Sequence, residues 1–162
     1  MGGLLTQPFE TLTEGGLTEL VGINEQVDQN DFGGSVAVAL PAPRVSGEIL
    51  QFTFYATEDG SGAVQDSAGR LLIFDANPAT TAGDTALTAA EWVTLIGVVK
   101  VEATDWITDA NGGAACITDT PIVFHALSAL YFVWFHDDAT GLNDAAGDDE
   151  QLEFNFWYRR DS

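Results

Sequence analysis

The sequence predicts an all-β domain, a jelly-roll-like β-sandwich with one short helix at about residues 88–96 and an extended N-terminal arm. Three observations predict it. Short segments alternate apolar and polar side chains with the period of two that a half-buried strand shows. Turn-forming runs interrupt them often, as in Glu58-Asp59-Gly60-Ser61-Gly62, Asp75-Ala76-Asn77-Pro78 and Asn111-Gly112-Gly113. There is no βαβ rhythm and no internal repeat, which excludes a doubly wound parallel sheet. Seven to nine strands are expected in all.

Residues 1–35 are punctuated by Gly2-Gly3, Gly15-Gly16 and Gly33-Gly34. They read either as an arm that pairs with a neighbour or as a terminus followed by an edge strand near Leu17–Ile23. Residues 36–162 read as a single sandwich domain. Val36–Leu40 is a short strand ended by Pro41 and Pro43, because proline donates nothing to a ladder. In Glu48–Ala56, Leu50, Phe52 and Phe54 alternate with Gln51, Thr53 and Tyr55. Arg70–Phe74 is a short apolar strand.

Thr88-Ala89-Ala90-Glu91 has capping-box spacing, so a helix should run over about Ala89–Ile96, with Gly97 placed to stop it. Val98–Ala103 follows as a strand with Val99 and Val101 on one face, and Ile122–Phe124 as another. Leu130–His136 is apolar on both faces: Tyr131, Val133 and Phe135 on one, Leu130, Phe132 and Trp134 on the other. Such a strand needs two covers, here the core and a neighbouring subunit. Leu152–Tyr158 points Leu152, Phe154, Phe156 and Tyr158 one way and Glu153, Asn155 and Trp157 the other. The core is therefore expected to include Leu50, Phe52, Phe54, Leu152, Phe154 and Phe156.

Composition supports a folded domain and narrows its partners. The 162 residues are 46% hydrophobic, far above a disordered chain. Against 25 acidic residues stand only Arg44, Arg70, Lys100, Arg159 and Arg160, for a net charge of −20. Five scattered cations cannot build the positive face that nucleic acid requires, and an anionic membrane would repel the chain. Such a charge suits a saline medium, where the Debye length falls to ~3 Å at 1 M salt; an acidic surface that serves only solubility fits as well. The start, Met1-Gly2-Gly3-Leu4-Leu5, lacks the features of a signal peptide, and no apolar run reaches the ~20 residues of a membrane span. The expectation is a protein used without secretion.

No catalytic signature emerges. Gly60-Ser61-Gly62 is followed by no Gly-Lys-Ser/Thr, and neither Gly-x-Ser-x-Gly nor His-Glu-x-x-His occurs. Cys116, His125 and His136 are too dispersed to mark a nucleophile–base pair or a zinc site; Cys116 reads as a small buried residue and the histidines as strand ends. Oxygen ligands crowd Asp137-Asp138, Asp144 and Asp148-Asp149-Glu150, and again Asp105, Asp109 and Asn111, without forming a calcium loop. Solvated hairpin loops account for them. The expectation is a protein that is not an enzyme, with no cofactor and no metal.

What remains is surface. Trp106, Trp134, Trp157 and Tyr55 would serve either a subunit interface or a sugar-stacking platform. Leu4, Leu5, Phe9 and Leu17 give the N-terminal arm an apolar character suited to adding a strand to a neighbour's sheet edge.

From Glu48 onward, about two thirds of the chain resembles the capsid auxiliary (decoration or cement) proteins of tailed phages. The matching pieces run in order. They are Ile49-Leu50-Gln51-Phe52-Thr53-Phe54; Leu71-Leu72-Ile73-Phe74-Asp75-Ala76-Asn77-Pro78 with its Thr80-Thr81-Ala82-Gly83-Asp84 loop; the helix Thr88–Ile96 leading into Gly97–Glu102; and Leu130–Phe135 with Leu152–Tyr158. The resemblance implies a jelly-roll-like domain, often trimeric, on the outside of an icosahedral head assembled in the host cytoplasm, where it braces the major capsid protein. It transfers no functional residues, since such proteins act through surfaces. A tail or baseplate β-domain and a carbohydrate-binding module are the competing expectations.

Overall fold

The computed structural model describes residues 21–23, 27, 29–41, 44–57, 68–81, 83–109, 112–118, 121–137 and 152–161. Ten strands and one helix succeed one another: β1 (Val21–Ile23), β2 (Val36–Ala39), β3 (Val45–Thr57), β4 (Gly69–Phe74), α1 (Ala89–Trp92), β5 (Leu95–Val101), β6 (Trp106–Asp109), β7 (Gly112–Ile117), β8 (Ile122–Leu127), β9 (Ala129–His136) and β10 (Leu152–Arg160). They form two antiparallel sheets. One is ordered β1-β10-β3-β7-β6, with β8 also on β3; the other is ordered β2-β9-β4-β5.

The pairing is nested. The first strand pairs the last (β1 with β10), the second pairs β9, the third pairs β7 and β8, and β4 pairs β5. This double winding of one long antiparallel hairpin is the jelly-roll topology, as the alternation and turn spacing predict.

Alternation explains the core. Leu152, Phe154, Phe156 and Tyr158 of β10, Phe52 and Phe54 of β3, and Leu130, Phe132 and Trp134 of β9 point between the sheets and are buried there with Ile49, Leu71, Ile73, Val99 and Val101. The aromatic rings interlock, with Phe132 centred 5.0 Å from Phe154 and 5.2 Å from Phe156.

Leu50, expected in this core, is instead 43% exposed. The cause is a β-bulge. Gln51 pairs Trp157 and Ile49 pairs Tyr158, so Leu50 has no partner on β10. One extra residue shifts the phase of a strand whose side chains alternate. Inward positions thus run Val45, Ile49 on one side of the bulge and Phe52, Phe54, Ala56 on the other. The bulge sits where β3 passes from β8, paired up to Ile49, to β7, paired from Phe52.

The helix is shorter than predicted. The capping box forms, with the Thr88 amide donating to Glu91 Oε2 at 2.6 Å and the Glu91 amide to Thr88 Oγ1 at 3.3 Å. The helix nevertheless ends at Trp92, because Leu95 is already paired with Phe74 in the sheet. Gly97 does not stop a helix; it lies in β5, where an added Cβ would crowd the Ile122 side chain at 2.7 Å. Two unpredicted strands, β6 and β7, form a hairpin whose Gly112-Gly113-Ala114-Ala115 run carries no alternation to read.

The outer face of β9 is covered by the chain itself rather than requiring a second subunit. Phe32 and Leu87 pack with Leu72, Phe74 and Val133 in a second cluster, flanked by Leu95, Tyr131 and Phe135. Residues 29–35 are held along β9 by Asn30 N–H to His136 O, His136 N–H to Asp31 O and Gly33 N–H to Trp134 O. Phe32 also bridges to Asp84. Its ring meets Phe135 at 4.8 Å and Trp92 at 6.3 Å, and the Arg70 guanidinium lies over Phe135 at 5.4 Å. Val27 is buried in the main core. The later part of the 1–35 segment therefore packs on its own sandwich.

Candidate functional surface

The six-stranded sheet turns a different kind of face outward. Its outward side chains fall into rows set by strand register. One row reads Ile107, Ala114, Tyr55, Glu153; the next reads Cys116, Thr53, Asn155; the next pairs Gln51 with Trp157; the last reads Val123, Glu48, Arg159. Leu50 projects from the bulge beside Trp157. Ile107 is 84% exposed, Val123 52%, Trp157 45% and Tyr55 37%. Only three charged side chains stand in these rows, Glu48, Glu153 and Arg159, and Arg159 is ion-paired with Glu48. In a chain of net charge −20, rows in which Glu153 is the one uncompensated acid among the described side chains are a local departure from the overall composition. Depletion of charge with retained aromatics marks the centre of protein interfaces.

Of the sequence-predicted interface residues, Tyr55 and Trp157 lie on this face as their alternation requires. Trp106 and Trp134 do not: Trp106 is 8% and Trp134 1% exposed, both packed between the sheets. Inward alternation removes them from any interface and from any sugar platform. The remaining pair is spaced out. Tyr55 stands beside Glu153, four residues along β10 from Trp157, or roughly 13 Å at ~3.3 Å per residue. Leu4, Leu5, Phe9 and Leu17 lie outside the described residues.

The residues considered for chemistry are kept apart. Cys116 is exposed on β7, not buried, because it falls on the outward phase of a strand opposite Thr53. His125 is exposed on β8 near the far end of β3, roughly 20 Å along the strand from Thr53. His136 is fully buried on the other sheet, where the Trp134 indole N–H donates to its Nδ1 at 3.1 Å. No dyad can form among groups so placed.

Among the described residues no group of three or more His, Cys, Asp or Glu side chains converges as metal ligands do. Asp105 accepts the Glu102 amide at 2.8 Å, and Asp137 is ion-paired with Arg70 at 3.2 Å. Asn111 and residues 138–150 lie outside the described residues. No described helix is long and apolar enough to cross a membrane. Among the described residues, the Lys100 ammonium, hydrogen-bonded to Glu102, holds that carboxyl below the usual range.

Sequence reasoning located Tyr55 and Trp157 but missed Leu50, Ile107 and Val123. The bulge hid the first, and the unpredicted β6 hid the second. Val123 had a signal, since it sits between Ile122 and Phe124, whose opposite phase fixes its direction. No family model matches the chain, and no curated protein is significantly similar to it.

Proposed function

We propose that this chain is a non-enzymatic structural protein of a virion, a capsid auxiliary component that binds the outside of a phage head, braces the major capsid protein and works as a symmetric homo-oligomer. The observation that carries this reading is the charge-poor outer face of the six-stranded sheet, with Tyr55, Trp157, Leu50, Ile107 and Val123 exposed together. A face of this composition suits contact with protein rather than with nucleic acid, which needs cations. Jelly rolls serve both viral coats and lectins, so the fold alone does not select between them. The separation of Tyr55 from Trp157 and the inward placement of Trp106 and Trp134 favour a protein partner over a sugar. The acidic remainder of the surface fits a part that faces medium instead of packaged DNA.

The test is co-sedimentation with empty phage heads assembled from a purified major capsid protein. Saturable binding at a fixed ratio to shell subunits is the expected result. A chain left wholly in the supernatant, or one that instead binds defined oligosaccharides on a glycan array, would overturn the proposal.

A further inference from the structure

We propose that the outer face of the six-stranded sheet is occupied by a second copy of this chain, packed face to face about a two-fold axis that crosses β10 between Asn155 and Trp157. The inference rests on the reading of that face as a protein interface and adds the identity of its occupant.

The order of side chains along β10 is self-complementary. Positions in the outward phase read Glu153, Asn155, Trp157, Arg159, with Asn155 only 6% exposed and its buried Oδ1 without a hydrogen-bond partner. The row is negative at one end, neutral in the middle and positive at the other. A two-fold axis in the plane between two stacked sheets lays β10 antiparallel over its own copy, so residue 153 faces residue 159 and residue 155 faces residue 157. Arg159 then stands against the partner's Glu153, Glu153 against the partner's Arg159, and Trp157 against the partner's Asn155. The row is complementary to its own reverse, which is what an isologous contact demands. Arg159 already pairs with Glu48 of its own chain, so the guanidinium would sit between two carboxylates, a geometry its planar fork of donors serves.

Size agrees. Strands β6, β7, β3 and β10 at ~4.8 Å spacing, over a row of about 20 Å, give a footprint of roughly 400 Å² in projection. A face studded with side chains has somewhat more accessible area than its projection, which suits a small interface in monomer–dimer equilibrium, below the ~800 Å² per partner of the standard size. Aligned sheets in a sandwich pack in this manner. Long-range repulsion between two copies of net charge −20 opposes approach in every orientation, and the charge-poor rows of this face add little to it. Association should therefore strengthen as salt shortens the Debye length from ~10 Å at 0.1 M to ~3 Å at 1 M. The symmetry is two-fold, not the three-fold that the phage resemblance implies.

The test uses the full chain. Light scattering across a salt series should show a monomer–dimer equilibrium shifting to dimer as NaCl rises. Glu153→Arg sets Arg against Arg in the homodimer, and Arg159→Glu sets Glu against Glu. Each variant alone should weaken dimerisation by at least about tenfold, whereas an equimolar mixture of the two should dimerise, because both cross-contacts then join opposite charges. Cys116 lies on the same face, two strands from β10, and supplies a readout that another dimer would not move: its alkylation should slow as dimer forms. Should the loss of the Glu48 partner unfold Arg159→Glu, Leu50→Glu beside Trp157 serves instead and should also give a monomer. Three results would each overturn the proposal: a strict monomer at every salt, variants whose mixture gains nothing, or a dimer whose Cys116 reacts at the monomer rate. A strict monomer that still saturates empty heads removes the dimer alone and leaves shell attachment standing.

Discussion

The two sheets solve the same problem in opposite ways. Each buries its inner face in one shared core, and each has apolar residues left over on the outside. The four-stranded sheet covers the outer faces of β4 and β9 with its own chain: Phe32 and Leu87 seal Leu72, Phe74 and Val133, and Arg70 caps the Phe135 ring, while Val98 of the edge strand β5 stays exposed. The six-stranded sheet leaves Ile107, Val123, Trp157, Leu50 and Tyr55 in solvent. A strand apolar on both faces, such as β9, is therefore not by itself a sign of a missing subunit. The stronger sign is an outward apolar face that the chain could have covered, or charged, and did not.

Substitutions in the shared core should do the most damage. Phe154→Ala should destabilise by about 3 to 5 kcal/mol in denaturant unfolding, with Trp157→Ala, three residues on and facing out, costing a small fraction of that in the isolated chain. Equal losses would mean that the two faces of β10 have been exchanged. Next comes the self-made cover. Leu87→Ala should cost about 2 kcal/mol or more, as removal of a buried side chain does, whereas Leu50→Ala at the bulge should cost less than about 1 kcal/mol. If Leu50→Ala proved the more damaging of the two, the phase shift in β3 would be wrong.

The helix cap on the covered side ranks third. Thr88→Ala removes the hydroxyl that accepts the Glu91 amide and should lower stability by about 1 kcal/mol, read as a lower denaturation midpoint at unchanged slope. The smallest effect concerns one exposed carboxylate on the four-stranded side. Because Lys100 holds the Glu102 carboxyl below its usual range, the interaction is present above the ordinary carboxylate pKa and lost as pH falls through the lowered value. A carbon-detected NMR titration should find Glu102 titrating below 4.5, the ordinary value, and Lys100→Met should bring it back.

Much of this was legible in the residues, and the failures have physical causes. β10 alternates without interruption from Leu152 to Tyr158, so its two faces could be read directly. β3 could not be read the same way. Ile49 and Leu50 are both apolar and adjacent, and which of them turns inward depends on a bulge opposite Trp157, a feature of pairing rather than of pattern. The capping box at Thr88 announced the start of α1, but its end was set by Leu95 joining Phe74 across the sheet, a tertiary override of local propensity. Cys116 was misplaced because glycine and alanine before it give no phase. For the candidate surface, the outward direction of Tyr55 and Trp157 was visible, whereas Trp106 lies in the unpredicted β6 and Trp134 in a strand apolar on both faces, so neither pattern shows which way the ring turns. That one sheet would be covered and the other bare was invisible, since Phe32 and Leu87 lie in segments with no period to reveal what they touch.

The nesting of the strands also governs the order in which the molecule can be made. β10 lies between β1 and β3, pairs with both, and brings Leu152, Phe154 and Phe156 into the centre of the core. Until residue 160 has been synthesised, β1 has no strand to pair with and the inner faces of β3 and β9 lack their central filler. Contacts so distant in sequence close slowly, so a nascent chain leaves the ribosome with a greasy trough open along its length. The long interval before closure, at roughly 5 to 20 residues added per second, is when the acidic surplus does its earliest service: half-finished copies of like charge repel one another before any of them has a fold to protect.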